Sequence, residues 1–417
     1  MGYADIIKKK QKEWNAPEMM EGSKANRGDK LPFSSPLMNF ATYGGIPRYK
    51  MTEFHGEYSG GKTTTAVDIC KNAIEIFKKE FDDKVADMRN KVAGGKKELA
   101  GPLEDLIEQG PQKTLYVDLE HSFDEAWSKT LGIADSDIEV MQPPDIPAED
   151  ILQMIEDIVE TGEVGLIVLD SVPSLVPKAE LEKKFGERTV AALAGLLTIF
   201  CRKIVPKLTR YKCTLLVINQ VRENMDNPYV IKTPGGEALK FYSCLRIYFR
   251  IGSPVDFLGN ELPKSAENPA GYIVNAKIIK QKSAPHDRKL GSYYLMAQSG
   301  LRPDFDFAQL AVKKYGIIRK SGGWYTMCDP YTGEVLETAS GNPVKVNGMA
   351  KVYEYLQAET KYYKRLCKYI VDDINGFEPE EPEDAEEQLD SEYNPEDIQE
   401  TIPEVSTESE DKIAGVL

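Results

Sequence analysis

Residues Gly56-Glu57-Tyr58-Ser59-Gly60-Gly61-Lys62-Thr63 fit the spacing GxxxxGK(S/T), and few short patterns restrict a fold so strongly. The spacing requires a strand to enter it and a helix to leave it, because its backbone N–H groups must turn inward around phosphate oxygens while a helix N-terminus faces the same anion. Both flanks are present. Tyr49-Lys50-Met51-Thr52-Glu53-Phe54 is strand-like, and over 64–79 apolar residues recur at helical spacing (Val67, Ile69, Cys70, Ile74, Phe77). Gly56, Glu57, Tyr58, Ser59, Gly60 and Gly61 would cradle the α- and β-phosphates, with Thr64 in the first helical turn. Lys62 would reach the β/γ oxygens and the Thr63 hydroxyl would hold Mg²⁺. The expected ligands are ATP and Mg²⁺.

The rest of the chain reads as alternating elements. Strands are expected over 114–119, 138–141, 165–170 and 214–219, with helices over 147–161 and 189–208 and an antiparallel run through 245–251 and 272–281. Such alternation implies an α/β fold with a mostly parallel sheet and ligands at the carboxyl ends of its strands. The expected organisation is a short basic helix (3–14) and polar linker (15–30), a core (31–299), a small C-terminal α/β unit (300–376) with a helix over 350–370, and a tail (377–417). Segment 78–112 is charged, helical in composition and interrupted by Gly94-Gly95 and Gly101-Pro102, so it reads as an inserted helical excursion.

Charge narrows the partners. The net charge of -15 would repel nucleic acid, but 377–417 holds 16 acidic residues against one lysine; removing them from the 67 acidic and 52 basic residues of the chain leaves 51 of each. The excess therefore sits in a Pro-interrupted tail expected to be disordered, which either solubilises the chain or competes with nucleic acid for basic grooves. No apolar run approaches the ~18 residues of a membrane span. The N-terminus lacks a secretory pattern, and six scattered cysteines without a CxxC pair argue against zinc or a disulfide framework. A cytoplasmic location is expected.

Polar residues end the core strands. Leu166-Ile167-Val168-Leu169-Asp170 is an apolar strand closing on a carboxylate suited to the magnesium shell. Leu115-Tyr116-Val117-Asp118-Leu119-Glu120 offers Glu120 as general base for an in-line water, although Asp118 or Glu120 could instead cap the helix beginning near Asp124. Thr214-Leu215-Leu216-Val217-Ile218-Asn219-Gln220 puts an amide where it could sense a γ-phosphate.

Four blocks in order carry a family likeness: Tyr116 to Asp124, Asp170 to Glu180, Ile218-Asn219-Gln220-Val221-Arg222, and Gly235-Gly236-Glu237-Ala238-Leu239-Lys240-Phe241-Tyr242. Together they resemble the RecA recombinase family over about 33–370. The charged insertion, Gly300-Leu301-Arg302-Pro303, Gly322-Gly323-Trp324-Tyr325 and the acidic tail look more like its phage-encoded UvsX-type branch, which implies an infected host's cytoplasm. The resemblance implies a RecA-like P-loop NTPase core and a DNA-dependent ATPase that forms helical filaments on single-stranded DNA and exchanges strands with a duplex. Glu120 matches the catalytic glutamate, Gln220 the γ-phosphate sensor, Asp124 the acid near the adenine, and Trp127 the position of a base-stacking tyrosine. Lys280 and Lys282 match a lysine pair that reaches the neighbouring subunit's γ-phosphate, and Phe241, beside Lys240, matches a residue inserted into the adjacent protomer. Read without the family, these would be an ordinary strand face and core packing.

Two segments without apolar periodicity, 183–189 and 223–236, are the expected DNA-facing loops. The second carries Met225, Tyr229, Ile231 and Lys232 before Gly235 and Gly236, a mixture suited to phosphates and base faces, and Arg222 and Arg202 match positions near the DNA backbone. Implied partners are single- and double-stranded DNA, further copies of the chain, a single-strand binding protein and a loader. A hexameric helicase or clock-type ATPase of the same core, or a non-catalytic DNA-binding mediator, remain alternatives.

Overall fold

The structure is a computed structural model that describes residues 3–13, 29–134, 136–184, 192–223 and 231–381. Helix α1 (Tyr3–Glu13) comes first; a short ladder, β1 (Lys30–Leu31) with β2 (Ile46–Pro47), then brackets α2 (Pro36–Thr42). The core follows as β3 (Met51–Gly56), α3 (Lys62–Ala93), α4 (Ala100–Gln109), β4 (Lys113–Asp118), α5 (Glu125–Thr130), β5 (Glu139–Met141), α6 (Ala148–Thr161) and β6 (Val164–Asp170). It continues through α7 (Lys178–Leu181), α8 (Ala192–Arg210), β7 (Thr214–Gln220), the two-residue pair β8 (Arg222–Glu223) and β9 (Ile231–Lys232), α9 (Ala238–Tyr242), β10 (Leu245–Val255), β11 (Gly271–Gln281), β12 (Leu290–Met296) and β13 (Gly300–Leu301). The C-terminal elements are α10 (Pro303–Leu310), a sheet of β14 (Ile318–Ser321), β15 (Trp324–Met327) and β16 (Lys345–Asn347), then α11 (Met349–Ala358) and α12 (Thr360–Asn375).

Nine strands form the main sheet in the order β13-β12-β11-β10-β3-β7-β6-β4-β5. From β10 to β5 neighbours run parallel, and β11, β12 and β13 add an antiparallel wing. The central strands β6 and β7 are near-continuous apolar runs because both of their faces are covered. Period-two alternation still sorts the side chains of the parallel strands. Tyr116, Leu166, Val168, Leu216 and Ile218 face the cluster with Ala66, Ile69, Cys70, Ala73 and Phe77 of α3. Leu115, Val117, Ile167, Leu169, Leu215 and Val217 face Ile151, Ile155 and Val159 of α6 and Phe200, Ile204 and Leu208 of α8. Each buried Val, Leu, Ile or Phe among these contributes about 1.5–3 kcal/mol, so the layer order follows from the strand pattern.

Several sequence expectations need correction. The segment 78–112 is helical and is interrupted at Gly94-Gly95 as expected, but its first half continues the helix leaving the phosphate loop, which runs for 32 residues to Ala93 before α4 folds back along it. Pro102 does not interrupt α4, because it lies in the first turn, where no intrahelical N–H bond is lost. The single helix expected over 350–370 is two, divided at Glu359, whose backbone (φ -98, ψ 65) leaves the helical region. Strand β12 was not expected; its Tyr294 and Met296, with Val255 of β10, share a core with Phe305, Phe307, Leu356, Leu366 and Ile370, so the elements after 300 pack on the wing. Most of the polar linker expected over 15–30 (its residues 15–28), most of the first expected DNA loop (185–189 of 183–189), the centre of the second (224–230, with Met225 and Tyr229) and the tail from 382 lie outside the described residues. Among the described residues no helix is long and apolar enough to cross a membrane.

Candidate active site

The loop from Gly56 to Thr63 joins β3 to α3 at the carboxyl end of the parallel strands, where the ends of β6 and β7 also arrive. Gly61 is the helix N-cap with φ +86, and a Cβ there would lie 2.8 Å from the Tyr293 hydroxyl, so backbone shape and space both call for glycine. Tyr293 also meets the Thr65 hydroxyl at 2.6 Å, which braces the first turn of α3 against the wing. Lys62 is buried, and its Nζ donates to the carbonyls of Gly56 (3.3 Å) and Glu57 (2.6 Å). Burial lowers its pKa, opposed by the charges of Asp170, Glu120 and Glu57. Its ammonium thus rests on its own loop, within reach of the space the loop encloses.

Thr63 Oγ1 donates to Asp170 Oδ2 at 2.9 Å, and the Tyr116 hydroxyl donates to the same oxygen at 2.6 Å. Burial pushes the Asp170 carboxyl up to about 6 despite these bonds, with Glu120 and Asp118 adding repulsion. A buried carboxylate short of positive charge, touching a hydroxyl, fits one edge of a magnesium shell. Among the described residues no group of three or more His, Cys, Asp or Glu is placed to hold a metal ion.

Glu120 lies just beyond β4. Its Oε1 accepts the Ser171 hydroxyl and, at 2.8 Å, Nε2 of Gln220, so residues after β6 and at the end of β7 hold one carboxylate. Neither Glu120 nor Asp118 caps the following helix. Asp124 caps α5 by accepting the Trp127 N–H at 2.9 Å, and Asp118 Oδ2 accepts the Phe123 N–H and Gln142 Nε2, each at 2.9 Å. The Trp127 indole is half-buried against the α3 cluster and donates to Thr64 Oγ1 at 3.4 Å. Asp124 and Trp127 therefore flank the loop, with Trp127 tied to α3 by packing as well. The Tyr58 side chain is 89% exposed, so whatever this position contributes to the loop comes from its backbone.

Lys280 and Lys282 are elsewhere. Lys280 Nζ donates to the carbonyls of Lys240 (2.5 Å) and Phe241 (2.8 Å), and Lys282 Nζ to Phe241 O at 3.3 Å, closing the C-terminus of α9. Lys280 pairs across the sheet with Arg246, which is level with Glu53 and not with Gly56. Lys240 pairs with Glu237, and Phe241 is 69% exposed. Of the expected DNA-binding residues, Arg202 is exposed on α8, and the backbones of Arg222, Ile231 and Lys232 form the β8–β9 ladder. Gly235 (φ +85) has a packing reason as well, since a Cβ there would lie 2.5 Å from Leu197 Cδ1; Gly236 lies against Ala194.

Sequence reasoning missed a buried polar layer beneath the site. Glu53 on β3 is fully buried, takes Nε of Arg246 from β10 on one oxygen and Nδ2 of Asn219 from β7 on the other at 3.0 Å. His55, two residues along, is held neutral: burial, then the nearby Arg246, Lys240 and Lys62, push its pKa down to about 3. Tyr116 and Ser171 were also missed as partners. The available signal was a charged residue inside otherwise apolar strands, Glu53 in β3 and Arg246 in β10.

Comparison with known proteins gives a consistent result. A family model described as the RecA N-terminal domain matches residues 84–301, a stretch that includes Glu120, Asp170, Gln220 and both lysines but starts beyond the phosphate loop. Protein RecA of Thermus aquaticus is 33% identical over 320 residues, 75% of this chain and 79% of that protein. Protein RecA of Clostridium acetobutylicum is 32% identical over 300 residues (71% and 72%), and that of Rhodopirellula baltica 32% over 298 (71% and 67%).

Proposed function

The chain belongs to the RecA family, and from that premise we propose that it is an ATP-driven recombinase that coats single-stranded DNA as a helical filament and exchanges strands with a homologous duplex. The observation that carries this reading is the meeting of Glu120, Ser171 and Gln220 beside the Thr63–Asp170 pair and the buried Lys62.

Magnesium held by Thr63 and Asp170 would supply charge neutralisation at the β- and γ-phosphate oxygens. Lys62 would exchange its loop carbonyls for phosphate oxygens, a change its buried ammonium can make without crossing water. With Oε1 fixed by two donors, Glu120 can turn Oε2 to an in-line water and take its proton. Gln220 Nε2 is engaged by Glu120, so a γ-phosphate competing for that amide changes the base and the start of the segment after β7 together. That segment, with α8 and its Arg202, is the proposed DNA surface. Lys280 and Lys282 of one protomer serve the neighbour's γ-phosphate, where a cation stabilises charge developing in the transition state. The domain division at about 30, 300 and 377, a single-strand binding protein and a loader as partners, and a cytoplasmic setting belong to this reading. The finer UvsX-type, phage-encoded character rests on the α3–α4 hairpin and the acidic 377–417 segment.

The test is ATP hydrolysis with and without single-stranded DNA for the parent and Glu120→Gln. Gln keeps an acceptor for Ser171 and Gln220 but cannot take a proton, so turnover falls ~10²–10⁴-fold while ATP-dependent DNA binding persists. DNA-independent turnover in both proteins would remove the proposed coupling.

A further inference from the structure

Asn219, the penultimate residue of β7, is fully buried, and each hydrogen-bonding group of its amide is in use. Nδ2 donates to Glu53 Oε1 at 3.0 Å and to the carbonyl of Pro234 at 3.2 Å, while Oδ1 accepts the Gln220 N–H at 3.0 Å. Two donors and one acceptor in this arrangement suit a primary amide of this length; Asp cannot donate, and Ser has one donor. Glu53 is in turn fixed by Arg246, so side chains from β7, β3 and β10 are tied together under the site. Gln220 stands just before the segment assigned to DNA, and Pro234 lies near its far end, immediately ahead of Gly235-Gly236. One side chain therefore touches the chain on both sides of that segment's centre.

Resting on the recombinase reading, we propose that Asn219 is a positioning residue that makes displacement of Gln220 by nucleotide a displacement of Pro234, using the buried Glu53–Arg246 pair as its fixed post. Relative bond strengths decide the direction of transmission. The bond to Glu53 is charge-assisted and about twice as strong as the neutral one to Pro234, so Asn219 keeps the post and yields at the loop. Pulling Gln220 toward a phosphate strains its N–H···Oδ1 bond, reorients the amide and releases the Pro234 carbonyl. A merely structural amide would hold all three partners in every nucleotide state.

The test exploits donor reversal in the full-length chain. Asn219→Asp keeps the acceptor for Gln220 but loses both donors and sets a carboxylate against Glu53. Adding Glu53→Gln restores that bond with polarity reversed, leaving the Pro234 contact as the one that is still missing. DNA affinity is measured with a non-hydrolysable ATP analogue and with ADP, beside denaturation midpoints. The parent should bind single-stranded DNA more tightly with the analogue. In the double variant the midpoint should recover relative to Asn219→Asp, while the analogue-to-ADP affinity ratio falls at least ~10-fold below the parent's. Recovery of the ratio together with the midpoint overturns the proposal. A parent with no such ratio overturns the recombinase reading itself. Should the variants not fold, hydrogen exchange of the parent decides: peptides spanning 219–221 and 233–237 should change protection together on adding the analogue without DNA, and a change in the first alone refutes the relay.

Discussion

Replacing Asp68 with Asn should stabilise the folded chain by about 3 kcal/mol at pH 8 and by almost nothing near pH 4. Asp68 lies in α3 shortly after the phosphate loop, is 2% exposed, and accepts the Ser34 N–H at 2.9 Å. Burial raises its carboxyl from 3.8 to about 6, against the opposing bonds from Ser34 and the charge of Lys71. A folded-state pKa above the unfolded value means that the folded chain holds the proton more tightly. Its stabilising contribution is complete below about 3.8 and is lost as pH rises through about 6. A shift of about two units corresponds to ~3 kcal/mol, which the ionised parent forgoes at pH 8 and the neutral Asn variant does not. Asn preserves an acceptor for Ser34 N–H, so the segment entering α2 keeps its anchor. For a chain of this size the gain is roughly 5 °C in thermal midpoint. Parent and variant midpoints compared at pH 4, 5, 6, 7 and 8 should diverge between about pH 4 and pH 6 and keep a constant gap above that, with ATP turnover similar throughout. A pH-independent difference, or a variant less stable at pH 8, would show that the Asp68 environment favours the ionised form and refute the reasoning.

Two further outcomes concern the proposed surface between copies. Burial, with the neighbouring Lys282 and Arg246, pushes Lys280 down to about 8, so above that pH the free protomer must take up a proton before the lysine can meet an anion. Filament assembly with an ATP analogue should weaken by up to ~10-fold from pH 8 to pH 9, and Lys280→Arg, charged throughout, should flatten that limb; an unchanged slope in the Arg variant sinks the assignment. Phe241→Ala removes a side chain already 69% exposed, so the protomer's stability should move by no more than ~0.5 kcal/mol. Sedimentation with analogue and single-stranded DNA should nevertheless show loss of long assemblies, because burying a Phe between copies is worth ~1.5–3 kcal/mol per contact.

What could be read from the sequence followed from local rules. The glycine spacing, the apolar runs ending at Asp170 and Gln220, and the helical apolar stripe after Thr63 each fix a structure within about ten residues, and the parallel sheet follows from them. Boundaries failed where two local signals disagreed. Gly101-Pro102 looks like a break, yet Pro at the first turn is allowed; residues 78–93 are helical as their composition suggests, but they continue the helix that leaves the phosphate loop. The pairing of Glu53 with Arg246 and Asn219 was illegible for another reason. It joins residues more than 160 positions apart, and each alone reads as an anomaly in an apolar strand. The same holds for Ser171 on Glu120 and Tyr116 on Asp170, which depend on β4 lying beside β6.

The register of β10 bears directly on why one chain would need another. Phe249 is opposite Gly56, at the phosphate loop, whereas three residues earlier Arg246 is opposite both Glu53 on β3 and Lys280 on β11. At about 3.3 Å per residue that separation is ~10 Å along the strand, and from β3 across β10 to β11 there are two strand spacings, ~10 Å more. Nucleotide bound beyond Gly56 lies farther still, while Lys280 is anchored in the opposite sense by the carbonyls that end α9. A lysine side chain does not cross that distance, and the strands between are rigid because both faces are packed. On the proposed reading, the cations that assist hydrolysis are excluded from their own chain's site by sheet geometry, and Phe241, projecting from the helix they cap, is placed to deliver them to the next. Dependence of turnover on assembly then needs no separate regulatory element, since an isolated protomer holds the base, the sensor and the phosphate loop but not the charge that completes them.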